Sequence, residues 1–178
     1  MAKEQAFFKN GLMAEGIAID RDEFDESGYY QGTVHVWLYR KSESTTEVLL
    51  QKRAATKPVR PGEFDISAAG HIDEGESPIE TAVRETCEKL GLVVAPDELE
   101  LAFVIRKTDL KKSIATVYLY EVDDSFTATF TDDEVESILW TPIDEFKAMT
   151  VDPARHLLAE HGNGYYAVLI ERLERVQP

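Results

Sequence analysis

Residues 34–40 (VHVWLYR) and 47–53 (EVLLQKR) are apolar, β-branched or aromatic almost throughout, with a polar turn at 42–46 between them. This pattern predicts two strands of a sheet covered on both faces. Strand character returns at 99–106 (LELAFVIR) and 113–122 (SIATVYLYEV), residues 126–130 alternate as a short exposed strand, and 135–140 lead to Thr141-Pro142. Helical spacing marks 78–90, 143–149, 165–176 and a segment opened by Asp152-Pro153 that runs to about His161. The first thirty residues are less regular: 16–20 reads as a short strand, and 21–32 as an acidic, glycine-punctuated loop. Strands alternating with helices, closed by a helix pair, predict an α/β fold with a mixed sheet between helical layers. No repeat, low-complexity tract or linker divides the chain, so residues 1–178 are expected to form one domain. Residues 1–30 would be an N-terminal extension, and about 151–176 the C-terminal helices.

The helix over 78–90 has both ends written in the sequence. Ser77 is the N-cap, Pro78 suits the first helical position, and Glu80 completes a capping box. Gly91 can take the left-handed conformation that stops the helix. Ile79, Ala82, Val83, Thr86, Cys87 and Leu90 form an apolar side, which predicts a buried, unreactive Cys87. Glu80, Arg84, Glu85 and Glu88 crowd the opposite side, with Lys89 at its edge. Arg84 can pair with Glu80 or Glu88, each four residues away, while Glu85 and Glu88 are neighbours three apart. Adjacent carboxylates repel unless a cation lies between them, which is how a hard, oxygen-seeking metal is held. The bland alternative is a solvated charged face.

Charge and cysteine content narrow the function classes. A net charge of −15 disfavours nucleic acid as a partner, because its phosphates would be repelled. No apolar run approaches the length of a membrane span, and the single cysteine fits a reducing, cytoplasmic setting. Within this acidic chain, Lys52, Arg53, Lys57 and Arg60 form a basic island containing no acid, a candidate anion pocket. A second island holds Arg106, Lys107, Lys111 and Lys112, opposed only by Asp109.

The stretch from Gly70 to Leu92 resembles the Nudix box: Gly, five residues, Glu, seven residues, Arg-Glu, an aliphatic, any residue, Glu-Glu, any residue, Gly, an aliphatic. Gly70, Glu76, Arg84, Glu85, Glu88, Gly91 and Leu92 match in register, while Thr86 replaces an aliphatic and Lys89 replaces the second glutamate of the pair. In the family that glutamate is usually a principal magnesium ligand. The resemblance implies a Nudix-like α/β/α sandwich and a diphosphate hydrolase using Mg2+ or Mn2+. Glu85 and Glu88 would be metal ligands, or would orient or deprotonate the attacking water; Gly70 would offer its carbonyl and Glu76 would support the loop or metal shell. Arg84 would hold the carboxylates in place, and a homodimer is compatible with the family's habits.

The likeness extends over about 30–145 to the branch related to type I isopentenyl-diphosphate isomerase. It is carried by Leu50-Gln51-Lys52-Arg53, Lys57, Pro61-Gly62, Asp65, Ser67, Ala69-Gly70-His71, Asp132-Asp133-Glu134-Val135 and Trp140. It implies that Arg53 and Lys57, with Arg60 in the same island, grip a diphosphate. Ala69 stands where the isomerase has its catalytic cysteine, so the isomerase chemistry does not transfer. His35, His156 and His161 read as structural, and His71 as a loop-organising hydrogen bonder. Three readings follow: a magnesium-dependent hydrolase of a nucleoside diphosphate derivative or related metabolite, a non-catalytic diphosphate-binding module, and an isomerase.

Overall fold

The computed structural model describes residues 3–42, 45–107, 112–130, 134–151, 161–162 and 164–176. Among them are β1 (Lys3–Phe7), β2 (Met13–Asp20), a short α1 (Phe24–Ser27), β3 (Tyr30–Lys41), β4 (Thr46–Arg53), β5 (Phe64–Asp65) and β6 (Ala68–His71). Then follow α2 (Pro78–Leu90), β7 (Glu100–Lys107), β8 (Ser113–Glu121), β9 (Val135–Pro142), α3 (Ile143–Val151) and α4 (Tyr165–Arg175).

The sheet is built on β3. One edge pairs in parallel with β8 from Gln31 to Tyr39, and β8 pairs onward with β7. The other edge is shared in turn by three antiparallel partners: β1 at Tyr30 and Gln31, β6 at Thr33–Val36, and β4 at Tyr39–Lys41. Strand β4 also pairs with β9 and β5. One parallel pair among antiparallel ones makes the sheet mixed, as expected.

The two faces of β3 separate by the strand's period of two. Val34, Val36 and Leu38 join Leu49, Ala68 and Ile72 beneath Ala82 and Leu90 of α2. Trp37 and Tyr39 join Leu50, Ile66 and Val117 beneath Phe146 of α3 and Leu169 and Leu173 of α4. Both faces are therefore covered, which explains the unbroken apolar runs of β3 and β4. Strands β1 and β2 bring residues 3–7 and 13–20 into the same sheet, with Ala6, Ala14 and Phe24 in a small core of their own.

Three local expectations are corrected. Residues 126–130 form no strand; the Thr129 amide donates to the Leu90 carbonyl, so this segment closes the end of α2 instead of joining a sheet edge. Cys87 is exposed, because α2 is rotated to bury Thr81, Ala82, Glu85, Thr86 and Leu90. The stretch read as an acidic loop contains α1 and the start of β3. The helix expected from Asp152, together with His156, Asp109, Lys111, Asp132 and Asp133, falls outside the described residues apart from its end at His161. No helix among the described residues is long and apolar enough to cross a membrane.

Candidate diphosphate site

Helix α2 starts and stops where its sequence dictates. Ser77 Oγ accepts from the Glu80 amide, and the Ser77 amide donates to the Glu80 carboxylate at 2.9 Å. At the other end Gly91 has φ +66° and donates to the Cys87 carbonyl. Because Glu80 serves the cap, it is not a partner of Arg84.

Arg84 gathers the carboxylates. Its Nε and Nη2 donate to the two oxygens of Glu76 at 2.9 and 2.8 Å, a bidentate pair across the loop. Nη1 donates to Glu85 at 2.6 Å and to Glu88 at 3.3 Å, and Nη2 also donates to the His71 carbonyl. One guanidinium thus ties the glycine loop to the helix. Glu76 also accepts from Thr81 Oγ1, and the Arg84 bonds hold its pKa below the usual carboxylate range.

Glu85 is the unusual member. It is only 6% exposed, and burial raises its pKa even though Arg84 and the Lys89 charge oppose the shift. Its carboxylate lies on the backbone of Gly70: a Cβ there would fall 1.9 Å from Oε1. The pairing of β6 with β3, which sets Gly70 opposite Val34, brings this backbone under the helix. Glycine is required here for close approach, not for a special φ.

His71 leaves the same strand toward β1. Its Nδ1 lies 3.1 Å from Glu4, a buried carboxylate that also accepts from Gln31 and from Arg21. Glu4 had no local signal, since a single acid on an N-terminal strand announces no partner.

The basic island is not a set of open cations. Lys52 pairs with Glu136 at 2.6 Å, and Arg53 donates to Asp65 at 3.2 Å and to the Val59 carbonyl. Arg60 lies 4.0 Å from Glu63, and Lys57 lies 2.6 Å from Glu134. The other oxygen of Glu134 accepts from Lys89 at 2.6 Å, so the departure from the box meets an acid from the strand-proximal segment before β9. These two lysines hold the Glu134 carboxyl down at about 2.

Beyond Arg53 a buried polar chain crosses the second face of the sheet. Asp65 accepts from the Ile66 amide and lies 2.8 Å from Nε2 of His161, whose Nδ1 is 3.2 Å from Lys107 Nζ. Tyr165 Oη accepts from Trp37 Nε1 and bonds His35 Nδ1, each at 2.8 Å. Burial drives the His35 pKa well down, so it stays neutral there. His35 thus meets Tyr165, and His161 meets Asp65 and Lys107.

Among the described residues no three His, Cys, Asp or Glu side chains converge as a metal cluster. Magnesium, however, keeps several waters and is held by one or two carboxylates together with substrate phosphates. Glu85 and Glu88, one helical turn apart on α2, fit that donor set.

The NUDIX domain family matches residues 29–161. A Nudix hydrolase of Clostridium acetobutylicum is 34% identical over 131 residues, covering 70% of this chain and 63% of its own length. Nudix hydrolase 3 of Arabidopsis thaliana is 29% identical over 88% of this chain, which spans 21% of that protein. An isopentenyl-diphosphate Delta-isomerase of Corynebacterium diphtheriae is 28% identical over 65% of this chain and 61% of its own length. Among solved structures, DR0079 of Deinococcus radiodurans superposes with a TM-score of 0.66 at 20% identity, over 96% of this chain and 98% of the other. The NUDIX domain of Shewanella oneidensis NrtR, complexed with ADP ribose, gives 0.62 at 20% identity, over 88% and 92%. With Arg84, Glu85 and Glu88 on α2 tied to the preceding loop through Glu76, and a family match running from the start of β3 past α3, this chain belongs to the NUDIX domain family.

Proposed function

We propose that this chain is a magnesium-dependent pyrophosphohydrolase of a nucleoside diphosphate derivative or a related diphosphate metabolite. The observation that carries the reading is Glu85: a nearly buried carboxylate, seated on Gly70 where no Cβ fits and steered by Arg84. Burying a carboxylate is costly, and although Arg84 pairs with this one, a second acid placed beside it adds repulsion. Such an arrangement is explained by a ligand that wants carboxylate oxygens.

Glu85 and Glu88 would hold the ion, which when bound supplies charge neutralisation on the diphosphate and a more acidic water. Arg84 keeps both carboxylates aimed and does not itself contact substrate, since its donors are already shared among Glu76, Glu85, Glu88 and the His71 carbonyl. Glu88, about half exposed, is the better placed of the two to accept a proton from water. Arg53 and Lys57 would grip the diphosphate at the cost of exchanging their present partners. The ADP ribose bound to the NrtR domain supports a nucleoside diphosphate sugar as the first substrate to assay.

Incubation with magnesium and a panel of diphosphates tests this, with Glu88→Gln as the control. Turnover abolished by that change supports the hydrolase. Binding without turnover supports a diphosphate-binding module, the reading favoured by Lys89 standing at a ligand position and bonded to Glu134. Isomerase chemistry has no support at Ala69, which offers neither acid nor nucleophile.

A further inference from the structure

We propose that Lys57 and Lys89 form a clamp for a phosphate group of the substrate, and that Glu134 is the placeholder that leaves when the phosphate arrives. The inference rests on the reading of α2 as the diphosphate site, and it gives a role to the residue that departs most from the box. Two ammonium groups from separate elements, the loop after β4 and the last turn of α2, converge on the two oxygens of a single carboxylate at 2.6 Å each. A carboxylate held at both oxygens by cations occupies the position that two oxygens of a phosphoryl group would take, and lysine ammoniums are compact charges that can regroup around it.

Exposure distinguishes the members of the cluster. The Lys89 side chain is 12% exposed and that of Lys57 24%, whereas Glu134 is 45% exposed. The lysines are the more enclosed members, and the acid is the one that reaches solvent. A phosphate dianion also competes well with a monoanionic carboxylate for two cations. Position matters as well: Lys89 lies one helical turn beyond Glu85 on α2. The substitution at 89 thus moves this corner of the helix from holding a metal to holding the anion directly.

A merely structural ion-pair network predicts the opposite response to mutation, so the two can be separated. Metal-free binding of inorganic pyrophosphate is measured by calorimetry for the wild type, Lys89→Met and Glu134→Gln, with thermal melting as the control for folding. The clamp predicts measurable binding without magnesium, a loss of about tenfold or more in Lys89→Met, and tighter binding in Glu134→Gln. No metal-free binding by the wild type, an unchanged affinity in Lys89→Met, or weaker binding in Glu134→Gln overturns it. Should Lys89→Met not fold, the Glu134→Gln comparison decides alone, since loss of the placeholder must raise affinity. Turnover of the diphosphate panel with magnesium is scored separately. Hydrolysis with no metal-free pyrophosphate binding sinks the clamp and spares the hydrolase, and clamp binding with no turnover does the reverse.

Discussion

The contact between Gly70 and Glu85 is the point at which a single atom matters most. Gly70→Ala places a methyl inside the Glu85 carboxylate, so the acid must leave its seat or the β6 backbone must shift. The expected outcome is a destabilisation of about 1–3 kcal/mol by urea denaturation, with loss of the proposed magnesium-dependent turnover. Asp65 is a second residue with a measurable signature. Burial works against its charge, but the His161 contact, the Ile66 amide and Arg53 outweigh it and hold the carboxyl at about 2 against an ordinary 3.8. A depressed carboxylate contributes stability that is fully present above the unfolded value and lost as pH falls through the folded one. Unfolding free energy should therefore drop by about 2 kcal/mol between roughly pH 5 and pH 1 on account of this group. Asp65→Asn should remove that part of the acid slope in denaturation curves taken across the same range.

At the scale of elements, α2 and its preceding loop are one unit because Arg84 joins them. Truncation by Arg84→Ala leaves Glu76 without its bidentate partner and Glu85 buried beside Glu88 with its nearest cation gone. Breaking a buried pair in this way is expected to cost about 3 kcal/mol in chemical denaturation. Arg84→Lys should recover little of it, because one ammonium cannot reproduce the fork. The cap is a milder matter: Ser77→Ala should lower stability by about 1 kcal/mol and leave the carboxylate geometry intact.

For the whole molecule, Tyr165 ties the C-terminal helix to the centre of the sheet. Its hydroxyl satisfies the buried ring nitrogens of Trp37 and His35, two positions apart on one face of β3. Tyr165→Phe strands both, and the expected loss is about 2 kcal/mol in the midpoint-derived free energy. The same face carries Asp65 and His161 in contact and Lys107 beyond them, and the His161 ring lies 5.1 Å from that of His35, so this chain of contacts spans β3, β5, β7 and α4. No segment of sequence contains that chain; the sheet order creates it.

What the sequence determined by itself is local and periodic. The two ends of α2, the strands β3, β4, β7 and β8, and helices α3 and α4 were readable, because capping, helical period and β-branched runs are properties of short windows. The spacing of Gly70, Glu76, Arg84, Glu85 and Glu88 was readable for the same reason. Only the tertiary structure decided which side of α2 faces inward. Helical phase placed Cys87 on the apolar side, but seating Glu85 on Gly70 turns the helix and leaves the cysteine in solvent. The basic island likewise looked uncompensated along the chain, whereas Glu136, Asp65, Glu134 and Glu63 each meet one of its members in the fold. Charge pairs and close backbone approaches depend on distance in space, and a one-dimensional pattern carries no information on which distant residues will be brought within a few ångströms.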